Sequence, residues 1–243
     1  MSVSEITAIP VDNTFSIANI IDQAINKPMK NAKILVAVPY HKAKLYCISQ
    51  LLSRADELTY QNKEVLMRFD PSEYGSTDAV KKQREFFRNL VINSPDFTHL
   101  YFMGVDTIPP KDVLERLLSH EKAIVGGVYW GRHGAENGTS QNAVAWLHGV
   151  GLEQQKELFL STNRLMLIDG MGMDCVLIRR DVLEKISWLS WVQNDDDYPL
   201  YDKASQYGRE NGLDFGCYID TNIQCRHYFD KNSYTYLASV CQE

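Results

Sequence analysis

The chain has 243 residues, 44% hydrophobic and 23% charged, a balance ordinary for a folded globular protein and too apolar for a disordered one. That length suits one sizeable domain. A formal net charge of −6 argues against a broad phosphate-binding face, and no apolar run approaches the roughly 20 residues that span a bilayer.

Residues 1–30 are weakly periodic and read as an N-terminal extension, with a short helix possible over Phe15 to Ile25. The first strong strand is Lys33 to Pro39, a continuous apolar run ended by Pro39-Tyr40. Ala43 to Leu58 follows as a helix, with Leu45, Ile48, Leu51, Leu52 and Ala55 at helical spacing. Glu64 to Phe69 is a second strand, closed by Asp70-Pro71, and a helix runs from about Ala79 to Ile92. A third strand ends in Tyr101-Phe-Met-Gly-Val-Asp106, before Pro109-Pro110 and an amphipathic helix from Lys111 to His120. Ala123 to Tyr129 is the fourth strand. This alternation predicts an α/β fold: an open, mostly parallel sheet flanked by helices.

The pattern changes after Trp130. Gly131 to Asn142 is rich in Gly, Asn, Ser and Thr and reads as a loop. Val144 to Leu152 and Glu157 to Ile168 read as shorter strands, an antiparallel pair that forms a smaller region beside the main sheet. Cys175 to Arg180 is another strand running into the helix Asp181 to Ile186. After the acidic run Asn194 to Asp197 come a helix from about Leu200 to Glu210, a stop at Asn211-Gly212, and a strand over Asp214 to Asp220. The whole reads as residues 31–243 forming one domain, with a nucleotide-binding half over 31–130 and an acceptor half over 131–243.

Asp106 stands at the carboxyl end of a buried strand, the usual ligand edge of an open α/β sheet, where a lone acid suits a hard divalent cation holding a phosphate. The competing reading is a capping or loop aspartate. Five scattered cysteines without a CxxC pair read as free thiols in a reducing compartment. With no basic region followed by an apolar stretch at the N-terminus, the expectation is a cytoplasmic protein. The two small basic clusters, Lys81-Lys82-Gln83-Arg84 and Arg179-Arg180, read as a solvated helix face and a strand end.

The order of these pieces resembles the GT-A-fold, family 2-like glycosyltransferases, over roughly residues 33 to 229. The resemblance runs through Val38-Pro39-Tyr40, Arg88-Asn89, Tyr101 to Asp106, Ile124 to Tyr129, Gly170-Met-Gly172 with Leu177 to Arg180, and Asp220 to His227. It implies a GT-A-like sheet with an antiparallel acceptor-side region and transfer of a sugar from a nucleoside diphosphate to a hydroxyl, with inversion. One departure stands out. The first acid of the family's Asp-x-Asp signature is Gly104 here, leaving Asp106 alone and keeping a cation-poor or degenerate version open.

The resemblance also implies roles. Asp106 and His227 would hold Mn²⁺ or Mg²⁺, and an imidazole in the set favours Mn²⁺. Pro39, Tyr40, Asp70, Arg88, Asp106 and Gly127 would contact the nucleotide-sugar. For Asp70 a turn role competes, for Arg88 a solvated helix face, and for Gly127 a strand kink. Tyr129 and Trp130 would stack on a sugar at the acceptor side, against the commoner role of buried packing. The general base falls among Asp195, Asp196, Asp197 and Asp202, with Asp197 and Asp202 fitting best. The acceptor is open, DNA included, as in phage-type modified-base transferases. A nucleotidyltransferase would need a Gly-rich phosphate loop that Pro39 to Ala43 lacks, while Gly104 keeps a non-catalytic nucleotide- or sugar-binding module in play.

Overall fold

A computed structural model describes residues 32–70, 77–132, 141–161, 165–190, 197–228 and 234–235. In chain order these form β1 (Ile34–His41), a 3₁₀ turn (Lys42–Cys47), α1 (Ile48–Glu57), β2 (Lys63–Asp70), α2 (Thr77–Asn93), β3 (His99–Met103), β4 (Thr107–Ile108) and α3 (Val113–Ser119). Next come β5 (Ile124–Val128), β6 (Trp130–Arg132), β7 (Gln141–Ala143), β8 (Ala145–Trp146), α4 (Leu152–Ser161), β9 (Leu165–Ile168) and β10 (Gly170–Met171). The rest are β11 (Cys175–Arg179), α5 (Arg180–Lys185), a 3₁₀ turn (Trp188–Ser190), α6 (Tyr198–Asn211), β12 (Cys217–Gln224), β13 (Arg226–Tyr228) and β14 (Tyr234–Thr235).

The central sheet has seven strands in the order β2-β1-β3-β11-β5-β12-β9. Strands β1, β2, β3, β5 and β12 share one direction, while β11 and β9 oppose their neighbours. Side-chain alternation sends successive β1 residues to opposite faces. Ile34, Val36 and Val38 pack with Leu51 and Ala55 of α1 and Leu114 and Leu117 of α3. Leu35 and Ala37 pack with Phe87 and Val91 of α2, Leu183 of α5 and Leu200 of α6. With both faces covered, the strands read as continuous apolar runs. Each fully buried Leu, Ile or Phe contributes about 1.5–3 kcal/mol relative to exposure.

This mixed α/β architecture, with small antiparallel sheets beside the main one, is the expected fold class and is consistent with a GT-A-like layout. Several elements differ from the sequence reading. Glu157 to Ser161 lies in α4, because Leu152-Glu-Gln-Gln-Lys-Glu is a run of good helix formers and only Phe159 needs full burial. Strand β8 pairs with β10 instead of with residues 157–168. The ends of the Gly131–Asn142 loop pair as β6 and β7. Gly212 does stop α6, in the left-handed conformation at φ 67°. The helix expected over 15–25, together with Asp195 and Asp196, lies outside the described residues. Among those described, no helix is long and apolar enough to cross a membrane.

Candidate active site

Strand β3 ends at Met103, and the chain turns through Gly104-Val105-Asp106, with the Thr107 N–H donating to the Gly104 carbonyl at 3.1 Å. Strand β4 then pairs antiparallel with β13, setting His227 opposite Thr107. The Tyr228 N–H donates to the Asp106 carbonyl at 2.7 Å, so the terminal strand is stitched to the residue it must face. From the other side, antiparallel pairing of Cys175 with Met103 brings Asp174 next to Gly104. Three strand ends thus deliver Asp106, Asp174 and His227 to one point. One ligand atom from each lies within 4.8 Å of the other two.

Each of these side chains is oriented. His227 Nδ1 lies 3.0 Å from the Trp130 carbonyl, which fixes the ring by a donated N–H and turns Nε2 toward Asp106 Oδ2 at 3.4 Å. That is the arrangement a ligating histidine needs. Tyr129 meets the imidazole edge-on, with ring centroids 5.4 Å apart. Thr107 Oγ1 donates to Asp174 Oδ2 at 3.3 Å. Lys44, in the 3₁₀ turn after β1, places Nζ on Asp106 Oδ2.

The electrostatics follow from two carboxylates sharing a buried space. Asp106 is 4% exposed. Burial pushes its carboxyl upward, but the bond to His227 and the charge of Lys44 outweigh this and hold it below the usual range. Asp174 moves the other way, raised by burial and by the neighbouring Asp106 charge. Burial lowers His227, yet the bond and charge of Asp106 prevail and raise it. An Asp/Asp/His donor set with its imidazole oriented through Nδ1 fits a divalent cation.

A cavity of about 220 Å³ opens over this cluster. Its wall combines Pro39, Tyr40 and His41 from the end of β1, Lys44 from the 3₁₀ turn, Val80, Gln83 and Arg84 from α2, and Asp106, Asp174 and His227 with Gly104 and Val105. The α2 helix explains part of this wall. Its N-terminal half buries Lys81, Gln83, Arg84 and Glu85, whereas its C-terminal half buries Phe87 and Val91. Arg84 forms an ion pair with Asp197 at the start of α6.

Of the residues singled out from sequence, Pro39, Tyr40, Asp106 and His227 line this one cavity. Asp70 sits beside it, half-buried and in register with His41. Asp197 reaches it through Arg84. Asp202 faces a different cavity, between α6 and the strands β9 and β12, with Asp169 and Arg209. Arg88 is one turn too far along α2: its Nε donates to the Leu183 carbonyl at 2.6 Å and Nη1 to Glu85 at 2.7 Å. Gly127 lies under the sheet surface, where a Cβ would come within 2.4 Å of Ile223 Cγ2. Trp130 is fully buried, with Nε1 donating to Gln224 Oε1 at 2.9 Å, and Tyr129 is buried beneath His227.

Lys44, Arg84 and Asp174 were not singled out by sequence reasoning. Arg84 belongs to the cluster read as a solvated face, and the structure corrects that reading by burying Lys81 and Arg84. Asp174 follows Gly170-Met-Gly-Met, an acid at a strand boundary like Asp106, but at the start of a strand that runs antiparallel.

No protein-family model and no curated protein sequence matches the chain. Among solved structures, the chain is similar to A197 from STIV, at 14% identity and a TM-score of 0.52, over 83% of this chain and 88% of that one. It is also similar to the mannosyltransferase PcManGT from Pyrobaculum calidifontis, solved in complex with GDP-Man and Mn²⁺. That match has 15% identity and a TM-score of 0.40, over 76% of this chain and 57% of the other. The likeness to A197 is one of fold.

Proposed function

We propose that the chain is a metal-dependent glycosyltransferase that moves a sugar from a nucleoside diphosphate to an acceptor hydroxyl, with inversion. The observation that carries this reading is the convergence of Asp106, Asp174 and His227 at a cavity also lined by Lys44 and Arg84. Asp106, Asp174 and His227 would hold the ion. When bound, such an ion supplies Lewis-acid stabilisation of the departing diphosphate.

The chain's own residues supply the rest. Lys44 and Arg84 bring positive charge to the wall where a diphosphate would lie, and a buried cation there is worth more than in water. Pro39 and Tyr40 lie near the end of the strand against which the nucleoside would rest, and Tyr40 is braced by Phe69 with ring centroids 5.3 Å apart. Asp70 is the acid available to a base or ribose from the neighbouring strand. Asp197 is the better placed of the two candidate bases, since Arg84 ties it to the cavity wall while Asp202 faces elsewhere. Tyr129 and Trp130 would act on the site through His227, by ring contact and through the Trp130 carbonyl.

The test is a thermal-shift panel of nucleoside diphosphates and nucleotide-sugars, with and without Mn²⁺, on the wild type and on Asp106→Asn. A ligand that binds the native state raises its melting temperature by mass action. A shift that needs Mn²⁺ and disappears in Asp106→Asn supports the reading and identifies the base. Absence of any shift across the panel would sink it.

A further inference from the structure

We infer that Lys44 is a tethered placeholder for the divalent ion: it neutralises Asp106 while the ion is absent and moves to the ligand's diphosphate when the ion arrives. This rests on the metal reading above. Asp106 Oδ2 carries the Lys44 ammonium and also faces His227 Nε2 at 3.4 Å. The ammonium therefore sits on the ligand oxygen that looks toward the histidine, and an ion held by the same carboxylate must contend with it.

Asp106 and Asp174 lie together in a largely buried space, and a buried carboxylate left without a counter-charge is costly. In the structure that counter-charge comes from Lys44 on Asp106 Oδ2, with the His227 ring beside it. Arg84, the other cation of the wall, is engaged by Asp197. Lys44 is placed for such an exchange. It stands in a short 3₁₀ turn between exposed Lys42 and Leu45, its side chain is 22% exposed, and its flexible stem lines the cavity. An ammonium on such a stem can change partner without moving the backbone. Once an ion neutralises the carboxylates, Lys44 becomes surplus positive charge at the cavity wall, where an incoming diphosphate is its natural partner.

Two binding measurements with opposite expected signs test this. Mn²⁺ alone is titrated by electron paramagnetic resonance into the wild type, Lys44→Met, Lys44→Gln and Lys44→Arg, with Asp106→Asn as the control for the site. Inorganic pyrophosphate, a diphosphate without base or sugar, is then titrated at saturating Mn²⁺. Removing the ammonium should tighten Mn²⁺ binding about tenfold and weaken pyrophosphate binding about tenfold, within the usual range of coupling between sites. Lys44→Arg should stay near the wild type in both. Running Met and Gln side by side keeps a folding defect in one from deciding the result. Equal or weaker Mn²⁺ binding by the neutral variants, or unchanged pyrophosphate affinity, would overturn the placeholder role while leaving the metal reading in place. If neither the wild type nor any variant binds Mn²⁺, the metal reading falls and this inference falls with it.

Discussion

The Asp174 carboxylate occupies the space that a side chain on Gly104 would fill. A Cβ built on Gly104 would lie 2.5 Å from Asp174 Cγ and 2.7 Å from its Oδ1. Gly104 does not adopt the left-handed conformation found at Gly149 and Gly212, so the glycine is there for room. The two residues are cross-strand neighbours, tied by the Gly104 N–H to the Asp174 carbonyl at 2.9 Å. An acid absent from one strand end is thus matched by an acid arriving from the adjacent antiparallel strand.

That exchange makes a reciprocal prediction. Asp174→Gly should weaken Mn²⁺ binding at least about tenfold, as loss of a ligand costs no less than loss of a supporting contact. Gly104→Asp alone should bind no better than wild type and should melt lower, since it forces a third carboxylate against Asp174. The double variant Gly104→Asp/Asp174→Gly returns the carboxylate to the first strand and should recover most of the affinity. Mn²⁺ titration of the three proteins decides it, and a double variant no better than Asp174→Gly would refute the equivalence.

Arg84 and Arg88 sit one turn apart on α2 and should separate cleanly. Arg84→Met should weaken pyrophosphate binding with Mn²⁺ present, because it removes charge from the cavity wall. Arg88→Met should leave that affinity unchanged and lower stability by about 1–3 kcal/mol, since it strips partners from the Leu183 carbonyl and from the buried Glu85. Glu85 also accepts from the Trp188 N–H and from Ser187 Oγ, each at 3.0 Å, so the arginine stabilises a packing node. Pyrophosphate titration and denaturant unfolding on both variants give the answer.

The difference between these arginines shows what the sequence could and could not convey. Strands β1, β3 and β5 announce themselves as apolar runs, and Asp106 stands out as the acid interrupting one of them. Pro39, Tyr40 and His227 came from the resemblance to the glycosyltransferases, and they lie where β1 and β13 reach the cavity. Arg84 and Arg88 share a helix with a four-residue offset, so periodicity puts both on one face and cannot say which reaches the cavity. Asp174 was hidden for a topological reason. Its strand enters the sheet antiparallel, so the residue just before its start, not one at its end, meets the ligand edge. Lys44 carries no signal beyond being a lysine near a strand end. The short strand Ala145–Trp146 pairs across 24 residues with Gly170–Met171, which local alternation cannot anticipate.

The candidate bases give a kinetic prediction. Asp197→Asn should slow donor turnover by about 10²–10⁴-fold, the usual worth of a positioned general base, with donor affinity little changed. Asp202→Asn should leave turnover within about threefold of wild type, since its carboxylate faces the cavity beside β9. Nucleoside diphosphate release, measured with water as acceptor, reports both. Equal loss in the two variants, or a loss confined to Asp202→Asn, would reverse the assignment.

Stability should carry a histidine signature outside the site. His99 is half-buried at the start of β3, with Nδ1 2.8 Å from Thr98 Oγ1. Burial, reinforced by the charge of Arg179, lowers its pKa from 6.5 to about 4. The unfolded chain therefore takes up this proton first as the pH falls. The sign is positive: stability from this group is complete above pH 6.5 and is lost progressively between 6.5 and 4. At pH 5 the loss reaches about 2 kcal/mol relative to pH 7.5. Asp214 and Asp220, held below the usual carboxylate range, withdraw their contributions only at lower pH, so the windows separate. Urea unfolding at pH 7.5 and pH 5 should show the wild type losing about 2 kcal/mol more than His99→Gln. Equal losses would mean that His99 is protonated within the fold, and that burial at the head of β3 does not exclude its charge.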